Sequence, residues 1–97
     1  MRRAAKVDAN HDQVVSALRA AGAKVQSTAA IGKGVPDLLV GFRFRLFLLE
    51  VKDGSLPPSG RKLTTEQVKW HSDWAGYPLC VVNSPEEALI AIGARDV

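Results

Sequence analysis

Three charged residues stand where a buried strand would be apolar: Asp37 opens the run "DLLVGF", and Glu50 and Lys52 end the run "RLFLLEVK". Residues 37–42 and 45–51 read as two strands of a hairpin that turns around Arg43 and Arg45. In an antiparallel pair the start of the first strand lies beside the end of the second, so Asp37 and Glu50 become neighbours. Two carboxylates that close repel unless one takes a proton or a cation sits between them, and hard divalent cations prefer such oxygen ligands. The backbone carbonyl of Val51 offers a third oxygen. Because side chains alternate along a strand, Glu50 and Lys52 project to one face, which aims the ammonium at the same place. That assembly suits hydrolysis of a phosphodiester. A metal ion polarises the phosphoryl oxygen and lowers the pKa of a water, while a lysine beside it orients that water or steadies developing charge.

A plainer reading stands beside this one. Asp37 caps a turn after Pro36, and Glu50 and Lys52 form a surface ion pair of the kind that contributes little. The apolar neighbours in "LFLLEVK" weigh against it, because a buried charge is costly unless it is paired or bound to metal. The residues alone leave both readings open.

The elements that must position these groups follow from pattern. After a basic arm at 1–7 containing Arg2, Arg3 and Lys6, Asn10 begins a helix with Val14, Val15, Leu18 and Ala21 on one face and Gly22 as its stop. Asn10 and Gln13 fit a capping pair. Residues 23–28 form a short strand, and the loop "AAIGKGVP" follows, closed by Pro36. The hairpin comes next, expected at the centre of a sheet covered on both faces. Residues 53–62, "DGSLPPSGRK", form a surface loop. Thr64 starts a second helix that carries Val68, Trp70, His71 and Trp74 and stops at Gly76. "YPLCVVN" is a further strand, and Ser84, Pro85 and Glu87 open a last helix. The order is α-β-β-β-α-β-α, an α/β fold with a mixed sheet flanked by helices.

The bulk numbers set bounds. A chain of 97 residues with 46% hydrophobic and 24% charged residues fits one soluble domain spanning 1–97. The longest apolar run, Leu46 to Leu49, is too short to cross a bilayer, and the N-terminus lacks the apolar segment of a signal peptide, so a cytoplasmic location is expected. Cys80 is the only cysteine, which excludes an internal disulfide and a multi-cysteine metal site; its flanks make it a small core residue. The net charge of +3 favours a polyanionic partner.

"PD" at Pro36 and Asp37, twelve intervening residues, then "EVK" at Glu50 to Lys52 resembles the PD-(D/E)XK nuclease signature. "GVPDLLVG", "LLEVKDG" and "LTTEQVKWHSDWAGYPLCVVNS" together resemble the VRR-NUC domain of that superfamily, above all its small stand-alone phage and bacterial members, across residues 8–89. The resemblance implies a restriction-endonuclease-like α-β-β-β-α-β core with an added C-terminal helix. It implies a Mg²⁺- or Mn²⁺-dependent endonuclease of Holliday-junction-resolvase-like type, with one or two ions per active site, in a bacterial or phage-infected host cell. Asp37, Glu50 and the carbonyl of Val51 would hold metal, and Lys52 would serve the nucleophilic water. Gln67 matches a glutamine of the family's next helix that faces the active site, although Thr64 and Gln67 equally fit a capping box. The superfamily usually places an acid on the first helix. Here the nearest positions are Asp8, Asn10, Asp12 and Gln13, and Asn10 is the choice by pattern, acting through a water.

His11 and His71 lack a histidine partner one turn away and read as surface or helix-face residues rather than zinc ligands. Trp70 and Trp74, one turn apart, read as packing residues against a sheet or a subunit. Lys33, Arg43, Arg45, Arg61 and Lys62 are loop and turn cations placed to contact phosphates. The expectation is a nuclease for branched or structured DNA, acting as a homodimer because symmetric cutting is simplest with two copies of one site. The alternative is a DNA-binding or assembly module that keeps the fold and does not cut.

Overall fold

The computed structural model describes residues 7–96, so Arg2, Arg3 and Lys6 of the basic arm lie outside the described residues. Helix α1 (His11–Ala20) leads through a turn into β1 (Lys24–Ser27). A single 3₁₀ turn at Ala29–Ile31 precedes the hairpin of β2 (Leu38–Phe42) and β3 (Arg45–Val51). After the Pro58–Gly60 3₁₀ turn come α2 (Thr65–Asp73), β4 (Leu79–Val82) and α3 (Pro85–Ala91). These elements come in the order expected from the sequence, and their ends fall within a few residues of the expected ones, as frayed termini do.

The four strands lie in the order β1-β2-β3-β4, antiparallel except for the parallel pair β3 and β4. A parallel neighbour requires a crossover, and α2 supplies it. The hairpin register pairs Leu38 with Leu49 and Phe42 with Arg45, leaving Arg43 and Phe44 as a two-residue loop. Both adopt positive φ, 52° and 65°, the primed turn whose twist matches the strands but which usually carries Asn and Gly.

Alternation along the strands sorts the sheet into two unlike faces. Leu38, Val40, Leu49, Val51 and Val82 point to one side, where Val14 and Leu18 of α1 and Ala88 and Ile92 of the α3 region close over them. All nine are essentially inaccessible to solvent. Cys80 is partly buried against this core. Leu39, Leu46, Leu48 and Glu50 point to the other side, toward α2, and there the expectation of a sheet covered on both faces is corrected. Helix α2 buries none of its own residues, Leu46 is 65% exposed, and Leu39, Leu46 and Leu48 form an open groove of roughly 380 Å³ with Trp70, Trp74 and Tyr77. A nine-residue helix with only two large apolar side chains is too small to seal that face. Trp70 and Trp74 stack on each other with ring centroids 4.7 Å apart.

Gly34 explains how α2 comes close to the strand start. A Cβ there would lie 2.3 Å from the backbone carbonyl oxygen of Glu66, and φ is +84°, so only glycine lets the loop before Pro36 run against the first turn of α2. No helix among the described residues is long and apolar enough to cross a membrane.

Candidate active site

The hairpin register that pairs Leu38 with Leu49 sets Asp37 against Glu50 one step further along. Both acids are buried, Asp37 at 9% and Glu50 at 1% exposure, and Lys52 beyond them retains 8%. Asp37 is held by the backbone of β3: its Oδ2 accepts from the Val51 N–H at 2.8 Å. Glu50 and Asp37 lie within hydrogen-bond reach of each other. Burial first, then the contact with Asp37 and the repulsion of its charge, push the Glu50 carboxyl up to about 9. Without a cation, then, Glu50 holds a proton at neutral pH, which is one of the two ways to relieve a close carboxylate pair.

Glu50 and Lys52 project to the same face, and Gln67 from α2 joins them. Its Oε1 accepts from Lys52 Nζ at 3.0 Å, and its Nε2 donates to Glu50 Oε2 at 3.3 Å. The same Oε1 accepts from the Thr64 N–H at 2.8 Å, while Thr64 Oγ1 accepts from the Gln67 N–H, completing a capping box. The two readings of Gln67 are therefore one arrangement: capping the helix fixes the rotamer that reaches the acids and the lysine.

His71, read from the sequence as a surface or helix-face residue, lies on the face of α2 that meets the acids: its Nε2 is 3.8 Å from Glu50 Oε1, one helical turn beyond Gln67. No N–H or O–H of the described protein reaches either of these buried atoms. Desolvation, then the Lys52 ammonium, hold the imidazole below its ordinary 6.5, so it is neutral beside the protonated Glu50. The missed signal is the i, i+4 spacing: if Gln67 faces the site, His71 does too.

Asn10 occupies the N-cap position of α1, but the expected capping pair with Gln13 is absent and its side chain makes no cap hydrogen bond. Its Nδ2 instead donates to the carbonyls of Lys52 and Asn83 at 3.0 and 3.1 Å, tying α1 to the ends of β3 and β4, and its Oδ1 is buried without a partner among the described residues. The longer-range pull of tertiary carbonyls outcompetes the local cap. Asp8, just before the helix, adds its charge to those that raise Glu50. His11, read likewise as a surface or helix-face residue, opens α1 on its buried face at 8% exposure.

The basic residues divide. Arg43 and Arg45 sit at the far end of the hairpin, about 20 Å along the strand from Asp37 at the usual rise per residue. There Arg43 lies over the Phe42 ring and Arg45 over Phe47. Lys33 borders a groove with Glu66, Lys69 and Asp73 beside α2, and Arg61 borders another with Asn10 and Asn83. Lys62 is exposed in the loop before α2.

As a cation site the donor set is small but suited. Glu50 Oε1 is a buried oxygen with no donor among the described residues, next to a second carboxylate and to the end of β3 where the Val51 carbonyl lies. No three His, Cys, Asp or Glu side chains among the described residues form a metal-holding group, so backbone oxygen and water would complete the shell. Compared with protein-family models, with curated proteins and with solved structures, the chain matches none.

Proposed function

We propose that this chain is a divalent-cation-dependent endodeoxyribonuclease that hydrolyses phosphodiester bonds in branched or structured DNA. The observation that carries the reading is the buried Asp37–Glu50 carboxylate pair with Lys52 directed to the same face and joined to Glu50 through Gln67. A buried acid pair with a lysine is expensive to maintain as mere structure, and its composition is that of a phosphoryl-transfer site. The PD…EVK spacing and the likeness to the VRR-NUC domain support the same conclusion, including a restriction-endonuclease-like reading of the mixed four-stranded sheet.

Asp37, Glu50 and the Val51 carbonyl would hold Mg²⁺ or Mn²⁺. When bound, that ion supplies Lewis-acid polarisation of a phosphoryl oxygen and eases deprotonation of water. The chain's own residues do the rest. Asp37 is anchored by the Val51 N–H through Oδ2 and lies against Glu50. Lys52, buried and steadied by Gln67, carries the positive charge that orients the attacking water and offsets charge developing on the phosphate. The capping box of α2 keeps Gln67 from swinging away. The exposed groove of Leu39, Leu46, Trp74 and Tyr77 favours a second copy of the chain as the partner on that face.

The test is incubation with a labelled four-way junction, a flapped duplex and a linear duplex in Mg²⁺, Mn²⁺ or EDTA. Cleavage that requires a divalent ion and falls about a hundredfold or more in Asp37→Ala and Lys52→Ala is expected. Absence of cutting on all substrates, or full activity in both variants, sinks the reading and leaves a non-cleaving binding or assembly module.

A further inference from the structure

Helix α2 addresses both oxygens of Glu50 at once. Gln67 donates to Oε2, and His71, one turn on, faces Oε1 across 3.8 Å. Among the described residues neither Glu50 Oε1 nor His71 Nε2 meets a hydrogen-bond donor or acceptor, though both atoms are buried and Glu50 is 1% exposed. With its proton on Nδ1, His71 presents a lone pair at Nε2, and the 3.8 Å to Glu50 Oε1, too long for a hydrogen bond, leaves room for a cation between the two atoms. Bond lengths of about 2.0–2.2 Å to a shared cation put a nitrogen and an oxygen ligand roughly 3.0–3.4 Å apart, so a shift of roughly 0.4–0.8 Å closes the gap.

Resting on the reading of Asp37 and Glu50 as cation ligands, we infer that a bound ion draws in His71, which in this structure does not yet converge on one point with the two acids, as a nitrogen ligand beside Glu50, giving the site a preference for Mn²⁺ over Mg²⁺. Carboxylate and carbonyl oxygens alone bind both ions, whereas an imidazole is a poor ligand for Mg²⁺ and a competent one for first-row transition ions. The imidazole is suited to it: Nε2 points inward at the acid, and the side chain is only 16% exposed, so the nitrogen is already largely stripped of water. Its partner Gln67 keeps the helix register that aims it.

Isothermal titration of the metal-stripped full chain with Mn²⁺ and with Mg²⁺, at neutral pH, tests this directly. The parent should bind Mn²⁺ at least about tenfold more tightly than Mg²⁺, and His71→Ala should lose about tenfold in Mn²⁺ affinity while Mg²⁺ binding changes by less than about twofold. His71→Gln, which fills the same space with an amide, should likewise lose the Mn²⁺ preference. Equal parent affinities for the two ions overturn the inference without any variant, as does an unchanged Mn²⁺ to Mg²⁺ ratio in both variants. In those cases binding that still depends on Asp37 and cleavage in Mg²⁺ leave the nuclease reading standing. A parent that binds neither ion removes both.

Discussion

Gln67 accepts a hydrogen bond from the Lys52 ammonium at 3.0 Å with the same oxygen that accepts from the Thr64 N–H, so one atom ends a helix and steadies a charge. Its amide nitrogen meanwhile reaches Glu50 at 3.3 Å. Local helix chemistry and long-range site geometry are thereby coupled: the register of α2 cannot shift without releasing both Lys52 and Glu50.

Gln67→Ala removes these contacts together. The chain should lose about 1–2 kcal/mol of stability, and cleavage should fall by more than the loss of folded protein accounts for. Gln67→Glu keeps the capping box but sets a third carboxylate against Glu50, so it should retain the stability of the helix end and still lose activity. Urea unfolding paired with the cleavage assay separates the two effects; equal activity in both variants and parent would refute the coupling.

Glu50 makes metal-free stability depend on pH. Its folded-state pKa, raised to about 9 by burial and Asp37, lies above its unfolded value of 4.5. Between those values the folded chain holds a proton that the unfolded chain has released, so stability is greatest below the lower value and falls as pH rises toward 9. In EDTA the urea midpoint should therefore decline from pH 5 to pH 9 through this group. Glu50→Gln should flatten that decline, and added Mn²⁺ should reverse it by binding only the folded state. A parent whose midpoint is as flat as that of Glu50→Gln would count against the raised pKa.

Asn10 ties the start of α1 to the ends of β3 and β4 through two carbonyls. Asn10→Ala leaves the Lys52 and Asn83 carbonyls without that donor and should cost about 1–3 kcal/mol. Asn10→Ser, which would restore a local cap without reaching the carbonyls, should recover little of this loss. Near-parental stability of Asn10→Ala in denaturant titration would show that the tie is dispensable.

Phe44 sits fully exposed at the hairpin tip with φ of 65°, a backbone region that costs a bulky residue free energy and glycine almost none. Phe44→Gly should stabilise the chain by about 0.5–1 kcal/mol, and, lying at the opposite end of the strands from Asp37, it should leave cleavage unchanged. A lower melting temperature would mean that the phenyl ring makes contacts worth more than the strain.

Much of this arrangement was legible in the residues. The order of helices and strands followed from Gly, Pro and capping signals, and the nearness of Asp37 to Glu50 followed from a hairpin whose turn length leaves one register. What pattern could not weigh was competition between local and distant partners. Asn10 looks like a cap by its position, but two carbonyls more than forty residues away claim its amide. His71 has no histidine one turn away to mark it in the sequence, and its nearness to Glu50 depends on where α2 crosses the sheet.

The sequence by itself determined which residues carry charge into the apolar hairpin and that one end of the hairpin gathers them, because strand alternation and hairpin register are local rules. Tertiary structure alone decided what surrounds them. The placement of α2 over one face brings Gln67 and His71 to the two oxygens of Glu50, and it rests on Gly34 admitting the helix against the loop backbone. It also leaves the groove beside Trp74 open. That packing arises from close steric fit between segments far apart in the chain, which periodicity along the chain does not encode.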